Sequence, residues 1–183
     1  CYVSRVGASL ITCGNLPVVD YDESPRCVII WGCNPHWTNP DEYIGENLSR
    51  TLADGAKLIV VDPRLTYQSS RADIWLQLRP GTDTALAFGM LNVIINEGLY
   101  DREFVEKYTH GWDQFVERVN EYSVEKCAEI TWVPAEKIQK AARLYAETKP
   151  AAINWGISIE QSLNCTDNNR ILIDMMAISG NLD

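Results

Sequence analysis

Three short polar clusters follow apolar runs in this chain: Trp31-Gly32-Cys33-Asn34-Pro35, Asp62-Pro63-Arg64 and Arg79-Pro80-Gly81-Thr82-Asp83. At the carboxyl end of a buried strand, Gly32 would let a ligand approach the backbone and Asn34 could bond a ribose or phosphate. A simple strand-to-helix turn punctuated by Gly and Pro explains the same residues equally well. Asp62 could accept two hydrogen bonds from a ribose diol, or could organise the turn before Pro63. Asp83 could receive the ring N–H and exocyclic amine of guanine on its two oxygens, a match that adenine cannot supply. As the first residue of a helix, it is also favoured there by the macrodipole alone. Arg64, Arg71 and Arg79 concentrate positive charge in an otherwise acidic chain, as a diphosphate would need, although a solvated surface is the ordinary place for each.

Other chemistry is disfavoured. The six cysteines stand at positions 1, 13, 27, 33, 127 and 165 with no CxxC pair, and the two histidines, His36 and His110, are isolated. A zinc or iron–sulfur site within this segment is therefore not expected, and neither histidine is read as catalytic. Cys27 and Cys127 lie in apolar surroundings and read as small core residues. A net charge of −9 would repel a phosphate backbone, so nucleic acid is not an expected partner. No apolar run reaches the length of a membrane-spanning helix, so membrane insertion is not expected either. The turn after the first predicted apolar run lacks a GxGxxG fingerprint, which weakens an NAD-dependent dehydrogenase domain as the alternative reading.

The elements that must hold these clusters alternate. Strands are predicted over residues 27–31, 58–61, 74–78 and 151–155, and helices over 41–53, from Asp83 to Gly98, after Asp101, over 112–119 and 124–130, after Pro134, and over 166–178. Ile138, Ala141, Ala142 and Tyr145 share one helix face. Residues 15–26, with two prolines and three acids, read as an irregular crossing loop. At 183 residues and 46% apolar composition the chain can bury a real core. The alternation predicts an α/β fold with a mostly parallel sheet covered on both faces, whose ligand edge is formed by the carboxyl ends of the strands.

The series WGCNP, IVVDPR, ADIWLQLRPGTDTALAFGMLNVIINEGLYDREFV, NWGISIEQ and SGN resembles the molybdenum/tungsten bis-pterin oxidoreductases of the dimethyl sulfoxide reductase superfamily, most closely its acetylene-hydratase-like members. The resemblance runs along nearly the whole chain. It implies a Rossmann-like three-layer domain over residues 27–150, a leading segment over 1–26, and, over 151–183, the fourth strand and start of a second pterin-binding half. It further implies that Gly32, Asn34, Asp62, Arg64 and Gly81 line a molybdopterin guanine dinucleotide, that Asp83 reads its guanine, and that Gly156 and Gln161 belong to the second half. Cys1, about thirty residues before the WGCNP turn, would be the catalytic metal ligand, a soft thiolate for molybdenum or tungsten already held by dithiolene sulfurs.

The implied cofactor is bis-molybdopterin guanine dinucleotide, with a 4Fe-4S cluster in a preceding part of a longer parent chain. The implied partners are a small-molecule substrate, the remaining domains of that parent and, in redox members, an electron-transfer subunit. The start at Cys1 and the stop at Asp183 directly after a predicted helix fit a piece of such a parent. Oxo-transfer or related redox chemistry is expected of it, with a non-redox hydration as the alternative; the piece alone is expected to be inactive.

Overall fold

The computed structural model of the chain describes residues 3–40 and 43–182. Helix α1 (Val3–Cys13) leads into strand β1 (Cys27–Trp31), followed by α2 (Pro35–Thr38), α3 (Tyr43–Ala53) and β2 (Lys57–Val61). A short α4 (Tyr67–Arg71) joins β2 to β3 (Ile74–Leu76). Five helices come next: α5 (Asp83–Asn96), α6 (Arg102–Tyr108), α7 (Trp112–Asn120), α8 (Val124–Thr131) and α9 (Ala135–Glu147). Strand β4 (Ala151–Trp155), the single turn α10 (Ile157–Glu160) and α11 (Cys165–Ile178) complete the described chain.

The four strands form one sheet in the order β3-β2-β1-β4, parallel throughout. β1 is buried along its whole length, which is why its sequence is an unbroken apolar run and not an alternation. Its side chains still divide by face. Cys27, Ile29 and Trp31 join a large core with Ile59, Val61, Leu76, Ile153 and residues of α5, α9 and α11; Val28 and Ile30 join a smaller one with Leu58, Val60, Leu48 of α3 and Tyr21. The α/β class, the parallel sheet and the helical cover on both faces are those expected from the sequence. So is the burial of Cys27 and Cys127, and of the shared face Ile138, Ala141, Ala142 and Tyr145. The division expected at residue 150 falls between α9 and β4, and β4 pairs with β1 in the same sheet.

Local chemistry explains most element boundaries. Asp101 accepts from the Phe104 N–H at 2.9 Å and Ser123 from the Lys126 N–H at 3.2 Å, each capping the helix that follows. Three differences are informative. Thr82 precedes α5 but does not cap it with its side chain, because its hydroxyl donates backward to the Arg79 carbonyl at 2.6 Å. β3 ends at Leu76 and not at Leu78, since the Leu78 N–H turns back to the Leu76 carbonyl. The leading segment contains α1, a helix not expected there: Val3, Val6, Leu10 and Ile11 recur at helical spacing, yet Val3, Leu10 and Ile11 are exposed and the helix buries Ala8 and Ser9 instead.

Candidate functional site

The chain runs outward from β1 through β2 to β3 and then returns to the other side of β1 as β4. The strand order therefore reverses between β1 and β4, and in open parallel sheets the crevice outside the carboxyl ends at such a reversal is the ligand position. Gly32 and Gly156 stand at this point. The Gly32 N–H donates to the Val61 carbonyl and the Gly156 N–H to the Trp31 carbonyl, both at 2.9 Å, stitching three strand tips together. A Cβ on Gly156 would lie 2.5 Å from the Gly32 oxygen and 2.4 Å from Cys33 Cβ. Gly32 itself has φ of +60°, and its carbonyl accepts from Ser158 Oγ at 2.8 Å. Gly156 is thus required by the approach of one backbone to another, and Gly32 by its left-handed conformation and the Ser158 side chain against it.

Asn34 precedes α2 without capping it by its side chain, and its Oδ1 is buried with no hydrogen-bond partner among the described residues. An unsatisfied buried acceptor costs roughly 1–3 kcal/mol, so a donor supplied by a ligand would be favourable there. Asn34 also lines a cleft of about 900 Å³ between α3 and α4. Asp62 is 2% exposed, and its Oδ1 accepts from the Arg64 N–H at 2.8 Å and from Arg64 Nε at 3.3 Å. It therefore organises the turn around Pro63. The Arg64 side chain, 72% exposed, remains largely in solvent. Arg71 lies over the Tyr67 ring and Arg79 over the Trp132 ring, so the three arginines of this window have three different partners.

Gly81, with φ of +82°, has open space around it. Asp83 lies two residues on, and its Oδ1 accepts from the indole N–H of Trp31 at 2.9 Å across 52 positions of sequence. Burial raises the pKa of Asp83, with the Trp31 bond acting in the opposite direction. That contact brings the β3-side turn to the tip of β1, so Gly32, Asp62 and Asp83 share one edge of the sheet. On the β4 side, Arg5 of α1 forms a 2.6 Å ion pair with Glu160, donates to the Trp155 carbonyl and stacks on the Trp155 ring. Gln161 ends α10 and lines a shallow hollow against α1 with Ser4, Gly7 and Cys165. The metal ligand expected at Cys1 lies outside the described residues, as does the start of the helix predicted from Asp41.

Trp31, Arg5 and Glu160 were not among the residues singled out from sequence. A tryptophan closing a fully buried strand must find an acceptor for its indole N–H, which is a usable signal. Arg5 is the one charged residue in the otherwise uncharged α1, a weaker one.

Comparison with known proteins gives this geometry a family. A model of molybdopterin oxidoreductases matches residues 12–183, nearly the entire chain. The chain belongs to the molybdopterin oxidoreductase family. It is 40% identical over 183 residues to acetylene hydratase of Syntrophotalea acetylenica, covering 98% of this chain and 24% of that protein. It is 36% identical over 155 residues to formate dehydrogenase H of Escherichia coli, covering 85% of this chain and 21% of that protein. The solved structure of acetylene hydratase from Pelobacter acetylenicus matches with a TM-score of 0.92 at 39% identity, over 100% of this chain and 25% of that one. This molybdopterin oxidoreductase chain thus spans about a quarter of the length of these relatives. Family membership implies a molybdopterin cofactor with molybdenum or tungsten, and the buried, unpartnered Asn34 Oδ1 beside the closed glycine turn suits a polar group of that kind.

Proposed function

We propose that this chain cradles the nucleotide tail of a molybdopterin guanine dinucleotide within a larger molybdenum or tungsten enzyme acting on a small molecule. The observation that carries the reading is that Gly32, Asn34, Asp62, Asp83 and Gly156 all follow carboxyl ends of the parallel strands, with Gly32 and Gly156 at the reversal of strand order and Asp83 tied to the tip of β1 through Trp31. In this reading the glycine turn and Asn34 hold phosphate or ribose, Asp62 and Arg64 border the ribose, and Gly81 leaves room for the base. Asp83 pairs with guanine. Its burial penalises the charged form, and two donors from guanine would offset that penalty where the Trp31 indole alone does not. Gly156 and Gln161 border the second pterin, and Cys1 supplies a thiolate to the metal.

When bound, the cofactor supplies a dithiolene-held metal for oxygen-atom or electron exchange with the substrate, and the 4Fe-4S cluster, substrate contacts and any electron-transfer partner belong to the rest of the parent. A hydratase and a formate dehydrogenase resemble the chain to a similar degree, which supports a cofactor-holding role common to both chemistries and favours neither substrate. The family match supports this reading over a nicotinamide dinucleotide domain.

The test is Asp83→Asn in the holoenzyme, with guanine nucleotide and metal quantified per protein. Loss of a charge-assisted pair should weaken cofactor binding by about 1.5–3 kcal/mol; full occupancy by guanine nucleotide would overturn the assignment. For Cys1→Ala the readout is metal X-ray absorption, and an unchanged sulfur coordination number would remove Cys1 from the site.

A further inference from the structure

Trp132 ends α8 in the left-handed region, with φ of +64°, and is 70% exposed. Helices often end on such a residue, but it is usually glycine, because a side chain there crowds the backbone. A bulky residue held in this conformation with little burial to compensate calls for a reason outside the stability of its own helix. The ring's partner is Arg79, whose guanidinium carbon lies 5.4 Å from the ring centroid.

Arg79 is the point from which the 79–83 turn hangs. Its N–H donates to the Thr131 carbonyl at 2.8 Å, beside Trp132 at the end of α8. Its own carbonyl accepts from the Thr82 N–H at 3.3 Å and from Thr82 Oγ1 at 2.6 Å. Thr82 is thereby withdrawn from capping α5, and Gly81 and Asp83 follow in a fixed turn whose middle has open space around it.

We propose that Trp132 and Arg79 form a clamp that positions the 79–83 turn, and through it the Asp83 carboxylate, before a nucleotide arrives. Both are positioning residues, and the inference rests on the nucleotide reading of Asp83 given above. A turn ordered in advance loses less freedom on binding, so the clamp acts on retention of the nucleotide.

The experiment measures the rate at which native holoenzyme releases guanine nucleotide, together with its thermal unfolding midpoint, for Trp132→Gly, Trp132→Phe and Asp83→Asn. Trp132→Gly removes the ring while placing the residue best suited to the left-handed backbone. It should release nucleotide about two- to fivefold faster, the range set by an exposed cation–π contact, with a midpoint equal to or above that of the unaltered enzyme. Trp132→Phe, which keeps a ring, should restore most of the retention. If Trp132→Gly releases nucleotide at the unaltered rate while Asp83→Asn releases it faster, the clamp is wrong and the site stands. If Asp83→Asn also releases it at the unaltered rate, the nucleotide reading itself fails, and the clamp with it. A lowered midpoint with faster release in Trp132→Gly would mark Trp132 as a structural residue only and overturn the proposal.

Discussion

The two ends of the strand-tip edge are built on different principles. At the β1/β4 end, backbones touch: Gly32 and Gly156 leave no room for side chains, Ser158 closes over the Gly32 carbonyl, and the Arg5–Glu160 pair ties α1 to the turn after β4. At the β2/β3 end, side chains do the holding. Asp62 is satisfied by the Arg64 backbone, Gly81 stands in open space, and Asp83 is anchored by one indole. A wall closed by backbone contact thus faces one held by side chains. In a nucleotide site the first would set where the phosphates pass, and the second would set which base is accepted.

The sharpest way to break this contrast is Glu160→Ala. The Glu160 side chain is 3% exposed and that of Arg5 15%, so removing one partner strands a buried charge and should destabilise the fold by about 3–5 kcal/mol. Denaturant unfolding showing a loss below about 1 kcal/mol, the range of exposed pairs, would make the β1/β4 end no more tightly closed than the other. Next in size is a pair of alanine substitutions. Gly156→Ala drives a Cβ into the Gly32 oxygen and should destabilise by about 3 kcal/mol, whereas Gly81→Ala meets no atom within 4 Å and should lose only about 1 kcal/mol to its left-handed φ. Equal losses would erase the difference between the two ends.

Asp174 of α11 sharpens what is particular to Asp83. Burial raises its pKa to about 6, with Arg170 pulling the other way, so it is a desolvated carboxylate on a helix, although it lines the same cavity as Gly81 and Thr82. A folded-state pKa above the unfolded one means that the associated stability is fully present below the unfolded value of 3.8 and is lost as pH rises through about 6. Asp174→Asn should therefore stabilise the fold by about 2–3 kcal/mol at pH 8 and have little effect below pH 4, as read from urea midpoints across that range. Asp83→Asn should show the same sign, since burial also raises Asp83, but its effect should vanish once a guanine partner is bound. The smallest effect is expected for Arg64→Ala. With the side chain mostly in solvent and the residue 64 N–H still bonded to Asp62, the change should be below about 1 kcal/mol in unfolding free energy.

Much of this architecture was legible before any coordinates. The unbroken apolar runs ending at Trp31 and Val61, the glycines and prolines after them, and the cap at Asp101 act within a few residues of themselves. Helix α1 has the apolar spacing of a helix at Val3, Val6, Leu10 and Ile11, but what it buries is the small residues Ala8 and Ser9, and that choice of face is not local to its sequence. The turns at α4 and α10 are too short for periodicity to register. Thr82 shows the same limit in one residue: its type and position suit a cap, but the Arg79 carbonyl competes for the same hydroxyl.

From sequence alone came the strand tips and the residue types at each of them, because backbone sterics and burial periodicity are local. Only the folded chain decided which tips adjoin, that Trp31 holds Asp83 across 52 positions, and that Arg5 reaches Glu160 from the far end of the chain. Those pairings depend on the order in which the parallel strands are laid down, and strand order is settled by crossovers and by the packing of whole helices on the sheet, which no short stretch of sequence contains.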